Sequence, residues 1–203
     1  MNAVSNMFQL DFQFFDLSTP SCRRERRKLR RAAGDNALEI LASRNGLSKE
    51  AFQRDDRGQL KHNDAYISKS YTNGLGVVAL SNMPIGIDLE QNSRDRDITA
   101  LSNYLWREQI KDPNEFYRRF CRMEAWGKLI GEGISAKSRS IPAIGDTITQ
   151  LNQEGYIFDA QFDDVFLCLA IAKSDHLLNL IARNAFEQLA SELQKRVNSH
   201  DHF

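Results

Sequence analysis

Asp88, Glu90, Glu124 and Lys128 are the residues of this chain whose types and spacing fit chemistry at a phosphate. In Ile85-Gly-Ile-Asp-Leu-Glu90 the apolar Ile85, Ile87 and Leu89 alternate with Gly86, Asp88 and Glu90. A strand here buries one row and projects two carboxylates from the other, about 6.5–7 Å apart at their backbones. Such a pair can hold a hard cation, and Mg²⁺ commonly uses one or two carboxylates with waters and substrate phosphates. An ordinary solvated strand face shows the same alternation. Further on, Glu124 and Lys128 are four residues apart and share one helix face. At an open surface they would make a salt bridge of about 0.3–0.5 kcal/mol. Beside an apolar stripe and just before the flexible Gly131-Glu-Gly-Ile-Ser135, a third carboxylate and a lysine suit metal-assisted phosphoryl transfer.

A second charge cluster lies upstream. Arg23, Arg24, Arg26, Arg27, Lys28, Arg30 and Arg31 place seven cations in nine residues, a density that matches phosphate binding. A solvated helix face or nucleic-acid contact are the competing readings. Nucleic acid is disfavoured because no aromatic residue is interleaved with the arginines for base stacking. The whole chain is also neutral, with 27 Lys and Arg against 27 Asp and Glu.

These residues need elements to carry them. Phe8, Leu10, Phe12 and Phe14 alternate with polar residues and predict a strand. Leu29, Ala33, Ala37, Ile40 and Leu41 recur at helical spacing over about 23–43, and Gly46 ends that helix. Leu75–Ser81 and Ile85–Glu90 read as two strands joined by a tight connection, followed by a helix around Thr99–Gln109. Phe116, Phe120, Met123 and Ile130 mark a helix over 114–130, with Asp112-Pro113 as its start signal. Residues 135–153 read as loop, Tyr156–Ala160 and Val165–Ala172 as a strand pair, and Leu177–Val197 as a closing helix. The order predicts an α+β fold of two similar-sized, pseudo-symmetric halves, each a helix packed on a small antiparallel sheet. The halves span 1–92 and 93–203.

At 203 residues, 41% hydrophobic and 27% charged, the chain can bury a sizeable core and is neither disordered nor of low complexity. Its three cysteines and four histidines share no metal-ligand spacing, and three is an odd number for a disulfide framework. The longest apolar run, Val165–Ala172, is far short of the roughly 20 residues of a membrane span. The N-terminus has no basic segment leading into an apolar one. A soluble, cytoplasmic protein with neither membrane nor nucleic-acid partners is expected.

Taken together, the motifs resemble the 4'-phosphopantetheinyl transferase superfamily, in its larger pseudo-dimeric Sfp-like class. That family carries a Gly-Ile-Asp-x-Glu strand, a Trp-x-x-Lys-Glu-Ala-x-x-Lys helix and a Gly-x-Gly-Leu-Ser loop. Here these read Gly86-Ile-Asp-Leu-Glu90, Phe120-Cys-Arg-Met-Glu-Ala-Trp-Gly-Lys128 and Gly131-Glu-Gly-Ile-Ser135. Upstream, Arg30-Arg-Ala-Ala-Gly-Asp35 resembles the family's Arg-containing helix, Gly58-Gln-Leu60 its Gly-Lys-Pro turn, and Ile67-Ser-Lys-Ser70 its Ser-His segment. The likeness runs in order from about Arg23 to Ser135. Departures fall at Gln59 and Leu60 for Lys-Pro, Lys69 for His, Phe120 for Trp and Met123 for Lys.

The resemblance implies Mg²⁺-dependent transfer of the 4'-phosphopantetheine arm of coenzyme A to a serine of an apo acyl or peptidyl carrier protein, releasing 3',5'-ADP. Asp88, Glu90 and Glu124 would hold the metal, with Glu124 and Lys128 as catalytic residues. Arg23, Arg26, Arg30, Ser68 and Lys69 would contact coenzyme A. A non-catalytic relative that binds coenzyme A or carrier protein without transfer is the alternative implied by the departures. On the catalytic reading, Met123→Lys restores a cation and is expected to be neutral or favourable.

Overall fold

The computed structural model describes residues 9–17, 23–48, 51–54, 60–62, 65–143, 145, 147–150, 153–172 and 176–200. Their elements are β1 (Leu10–Asp16), α1 (Arg23–Arg44), β2 (Gln53–Arg54), β3 (Leu60–His62), β4 (Ala65–Tyr71), β5 (Leu75–Ser81), β6 (Ile85–Gln91), α2 (Ile98–Trp106), α3 (Pro113–Leu129), α4 (Ala136–Arg139), β7 (Thr147–Gln150), β8 (Gln153–Phe162), β9 (Val165–Ala172) and α5 (His176–His200). No helix among the described residues is long and apolar enough to cross a membrane.

The fold is mixed α+β with two antiparallel sheets. One is ordered β1-β5-β4-β3-β2 and the other β6-β9-β8-β7. In each, the strand that comes first in the chain pairs with the last, and a helix follows that first strand. Consecutive β5 and β6, expected as neighbours across a tight connection, belong to different sheets: β5 pairs with β1 and β4, and β6 with β9. The strand carrying Asp88 and Glu90 therefore opens the second sheet, although it precedes residue 92.

The apolar rows account for the layering. Val77 and Ala79 of the first sheet, Ile85, Ile87, Leu89, Leu167 and Leu169 of the second, and Phe186, Leu189 and Leu193 of α5 form one buried core between them. Ala37, Leu38 and Leu41 close α1 against Ala65, Val78 and Leu80 on the far face of the first sheet. On the far face of the second sheet, Phe116, Tyr117, Met123 and Trp126 of α3 pack on Ile157, Phe166, Cys168 and Ala170. The helices begin where the sequence provides caps: Asp112 accepts from Asn114 N with Pro113 at the first helical position, and Asp97 accepts from Ala100 N to start α2.

The stretch 135–153, expected as loop, contains α4 and β7. The single turn of α4 is closed by a reciprocal Ser135–Ser138 capping box, a local device that leaves no apolar period to read. β4, absent from the expectation, is a full seven-residue strand.

Close approach of α3 to β6 depends on Gly86. A Cβ built there would lie 1.9 Å from Ala125 O and 2.6 Å from Leu129 N, backbone atoms that cannot rotate away. Gly86→Ala is expected to lower the stability measured by urea denaturation by about 3 kcal/mol or more, because α3 must lift from the sheet.

Candidate functional site

The face of β6 opposite the core carries Gly86, Asp88 and Glu90, and α3 lies across it. Asp88 is 3% exposed. Its Oδ1 accepts from Lys128 Nζ at 2.7 Å and from Ser70 Oγ at 2.8 Å. Lys128 Nζ also donates to Ile87 O at 2.9 Å, so one ammonium ties α3 to both the backbone and a side chain of β6. Asp88 Oδ2 is buried without a hydrogen-bond partner. Glu90 Oε2 takes a bond from Arg96 Nη1 at 3.1 Å. Glu124, half-buried one helical turn before Lys128, lies within the fields of Asp88, Lys128 and Arg96.

The electrostatics follow from burial and crowding. Burial and then the Asp88 charge push Glu90 up to about 7, against the pull of Arg96, with Glu124 adding a smaller push. Glu124 is raised by burial and then by Asp88, opposed by Lys128 and Arg96. For Lys128, burial pulls the pKa down, but the charge and hydrogen bond of Asp88 and the charge of Glu124 outweigh it and keep the ammonium above its usual value. Three carboxylates thus face two cations in a partly desolvated cleft.

This donor set fits a divalent cation. Hard oxygen ligands, one of them an orphaned buried oxygen, and carboxylates that resist ionising together are what Mg²⁺ relieves. Among the described residues, no three Asp, Glu, His or Cys side chains stand close enough in this structure to form a ready-made coordination shell. Asp88, Glu90 and Glu124 act on one another through their charges without forming one cluster.

Arg96 is a site residue that the sequence did not reveal. It lies in the polar stretch after β6, and its guanidinium rests 5.3 Å from the Tyr117 ring centre and 5.5 Å from that of Phe120. Tyr117 Oη in turn accepts from Ser93 N at 3.0 Å, fixing the segment that delivers Arg96. Aromatic residues on α3 therefore orient a cation that no linear motif places near Glu90.

The residues expected to contact coenzyme A are distributed over two faces. Lys69 Nζ turns toward α1, bonding Asp35 Oδ1 at 3.0 Å and Gly34 O at 3.2 Å. On the same side, Arg30 Nη2 reaches Thr72 O at 3.4 Å, and Arg26 is half-buried with its Nε unpartnered. Ser68 points the other way, as alternation along a strand requires; it is buried and accepts from Ile87 N at 2.8 Å. The Arg23 side chain and Gln59 lie outside what the structure describes.

Met123 corrects an expectation. Its side chain is fully buried in the apolar cluster of α3 and the second sheet, so a lysine there would enter the core rather than add a cation to the site. No protein-family model and no curated protein matches this chain.

Met123→Lys is accordingly expected to destabilise the fold by about 3 kcal/mol or more through an unpaired buried charge, read as a lowered urea midpoint. A pH prediction follows from Glu90. Its folded-state pKa of about 7 stands above the usual 4.5, so the native state binds more protons than the unfolded chain between those values. Stability should therefore fall as pH rises from about 4.5 to 7, by on the order of 1–3 kcal/mol from this group. Glu90→Gln should flatten that part of the profile.

Proposed function

We propose that this chain transfers the 4'-phosphopantetheine arm of coenzyme A to a serine of an apo acyl or peptidyl carrier protein and releases 3',5'-ADP. The observation that carries this reading is the bond between Lys128 of α3 and Asp88 of β6, with Glu90 and Glu124 near enough to act on Asp88 and on each other through their charges. Those residues come from motifs separated by more than thirty positions. The fold adds support through its two sheets of matching strand order, which we read as two pseudo-symmetric halves. The free, buried Cys121 and Cys168 suit a reducing, cytoplasmic setting.

Mg²⁺, held by Asp88, Glu90 and Glu124, would supply neutralising charge at the pyrophosphate. The carrier serine oxygen attacks the phosphorus that bears the pantetheine arm. A new P–O bond forms as the anhydride P–O bond breaks, and the electron pair leaves with 3',5'-ADP. Glu124, with its pKa raised, takes the serine proton. Lys128 has three N–H donors and uses two on Ile87 O and Asp88 Oδ1, which leaves one for the departing phosphate. Arg26 and Arg30 of α1 and Lys69 of β4, with Arg23 as the resemblance implies, would hold the 3'-phosphate of coenzyme A, and Ser68 steadies β6 from the other face of β4.

A second reading, a relative that binds coenzyme A or carrier protein without transfer, draws on Lys69, whose charge is engaged by Asp35. Incubation with coenzyme A, Mg²⁺ and a panel of apo carrier proteins, read by intact mass, separates the two. Transfer by wild type is expected, with Asp88→Ala and Glu124→Gln each reducing it by at least about a hundredfold while remaining folded. Full transfer by either variant contradicts the mechanism; tight coenzyme A binding with no carrier modified favours the second reading.

A further inference from the structure

β6 is an edge strand of its sheet, bonded to β9 on one side only. Its other edge is buried against β4 of the first sheet, where alternate amides still need acceptors. Hydroxyls supply them. Ile87 N donates to Ser68 Oγ at 2.8 Å and Leu89 N to Ser70 Oγ at 3.0 Å. Both bonds span 19 residues, so the two strands advance together, two residues per rung, in the same direction. Two serine side chains take the place of a neighbouring strand's carbonyls.

The two rungs differ in what each hydroxyl does with its proton. Having accepted from Leu89 N, Ser70 Oγ donates to Asp88 Oδ1 at 2.8 Å, with Leu89 O a distant second acceptor at 3.5 Å. Ser68 makes no such bond to a carboxylate among the described residues. A hydroxyl that accepts an amide hydrogen bond is polarised and donates more strongly. Ser70 is 4% exposed, so water does not compete for that bond. Together with Lys128 it places two donors on Oδ1 and none on Oδ2.

We infer that Ser70 is a positioning residue of the acidic cleft: it fixes Asp88 through Oδ1 and so keeps Oδ2 free for a divalent cation shared with Glu90 and Glu124. This rests on reading the cleft as a cation site. It goes further by assigning that site a determinant on the other sheet, next to Lys69 in the strand that faces α1. Outer hydrogen bonds of this kind set a ligand's orientation and, when removed, lower metal affinity roughly tenfold to a hundredfold.

The test is Mn²⁺ binding to the full chain without coenzyme A or carrier protein, followed by the loss of the free-ion electron paramagnetic resonance signal. Ser70→Ala should weaken binding at least about tenfold. Ser70→Cys, nearly isosteric but a weak donor, should do the same should the alanine variant fail to fold. Ser70→Thr, which keeps the hydroxyl, should stay within about threefold of wild type. The matched control is Ser68→Ala, which removes the same kind of amide acceptor without touching Asp88. It should lower stability as Ser70→Ala does and leave Mn²⁺ affinity within about threefold. Wild-type affinity in the alanine and cysteine variants of Ser70, or an equal loss in Ser68→Ala, would reduce Ser70 to a structural role and overturn the inference while the cation site stands. Absence of Mn²⁺ binding by wild type would overturn the cation site itself, and this inference with it.

Discussion

The bond network around the Lys128 ammonium is the constraint on which the rest of the structure depends. It joins α3 to β6 twice, through Ile87 O and through Asp88 Oδ1, at a place where Gly86 lets helix and strand approach until their backbones nearly touch. A bulkier residue at 86 or a shorter one at 128 would separate the two elements, and the cleft exists only between them. The apolar residues on the rest of α3 then seat on β8 and β9, so the same helix face that delivers Glu124 and Lys128 is held by packing on either side. A buried ion pair adds little net stability compared with an apolar substitute. Its contribution here is to fix the alignment of two elements that hydrophobic contact alone would leave free to slide.

The cleft so built is charged beyond what its own cations neutralise. Asp88, Glu90 and Glu124 oppose Lys128 and Arg96, and burial raises two of the carboxylates. The protein tolerates this by distributing donors. Lys128 and Ser70 are committed to one oxygen of Asp88, and Arg96 to Glu90, leaving Asp88 Oδ2 unpartnered. Groups held in this condition favour an added cation more than a relaxed surface pair would, because the attraction acts where water is scarce.

What could be read from the sequence was whatever announces itself by period. The alternation of Ile85, Ile87 and Leu89 marked β6 and the face of Asp88, and the four-residue step from Glu124 to Lys128 marked one face of α3. β4 escaped because its inward positions are Ser68 and Ser70. They serve as acceptors for a neighbouring edge rather than as apolar packing, so the hydrophobic period that betrays most strands is missing. Arg96 escaped for a different reason: its place is set by Tyr117 and Phe120, more than twenty residues away. Met123 matched a motif position expected to hold a cation, yet it faces the core, which only the packing of α3 on the sheet decides. The division between sheets was equally hidden, since β5 and β6 are adjacent in sequence and separated only by their partners.

A double-mutant cycle on Asp88 and Lys128 tests the central claim most directly. Asp88→Asn, Lys128→Met and the double variant are compared with wild type by urea denaturation at neutral pH. A coupling energy of about 1.5–3 kcal/mol is expected for a buried, charge-assisted pair, with the double variant more stable than Lys128→Met alone because it leaves no unpaired buried carboxylate at Asp88. Additive losses with no coupling would contradict the account, for the helix and the strand would then be aligned by something other than this bond.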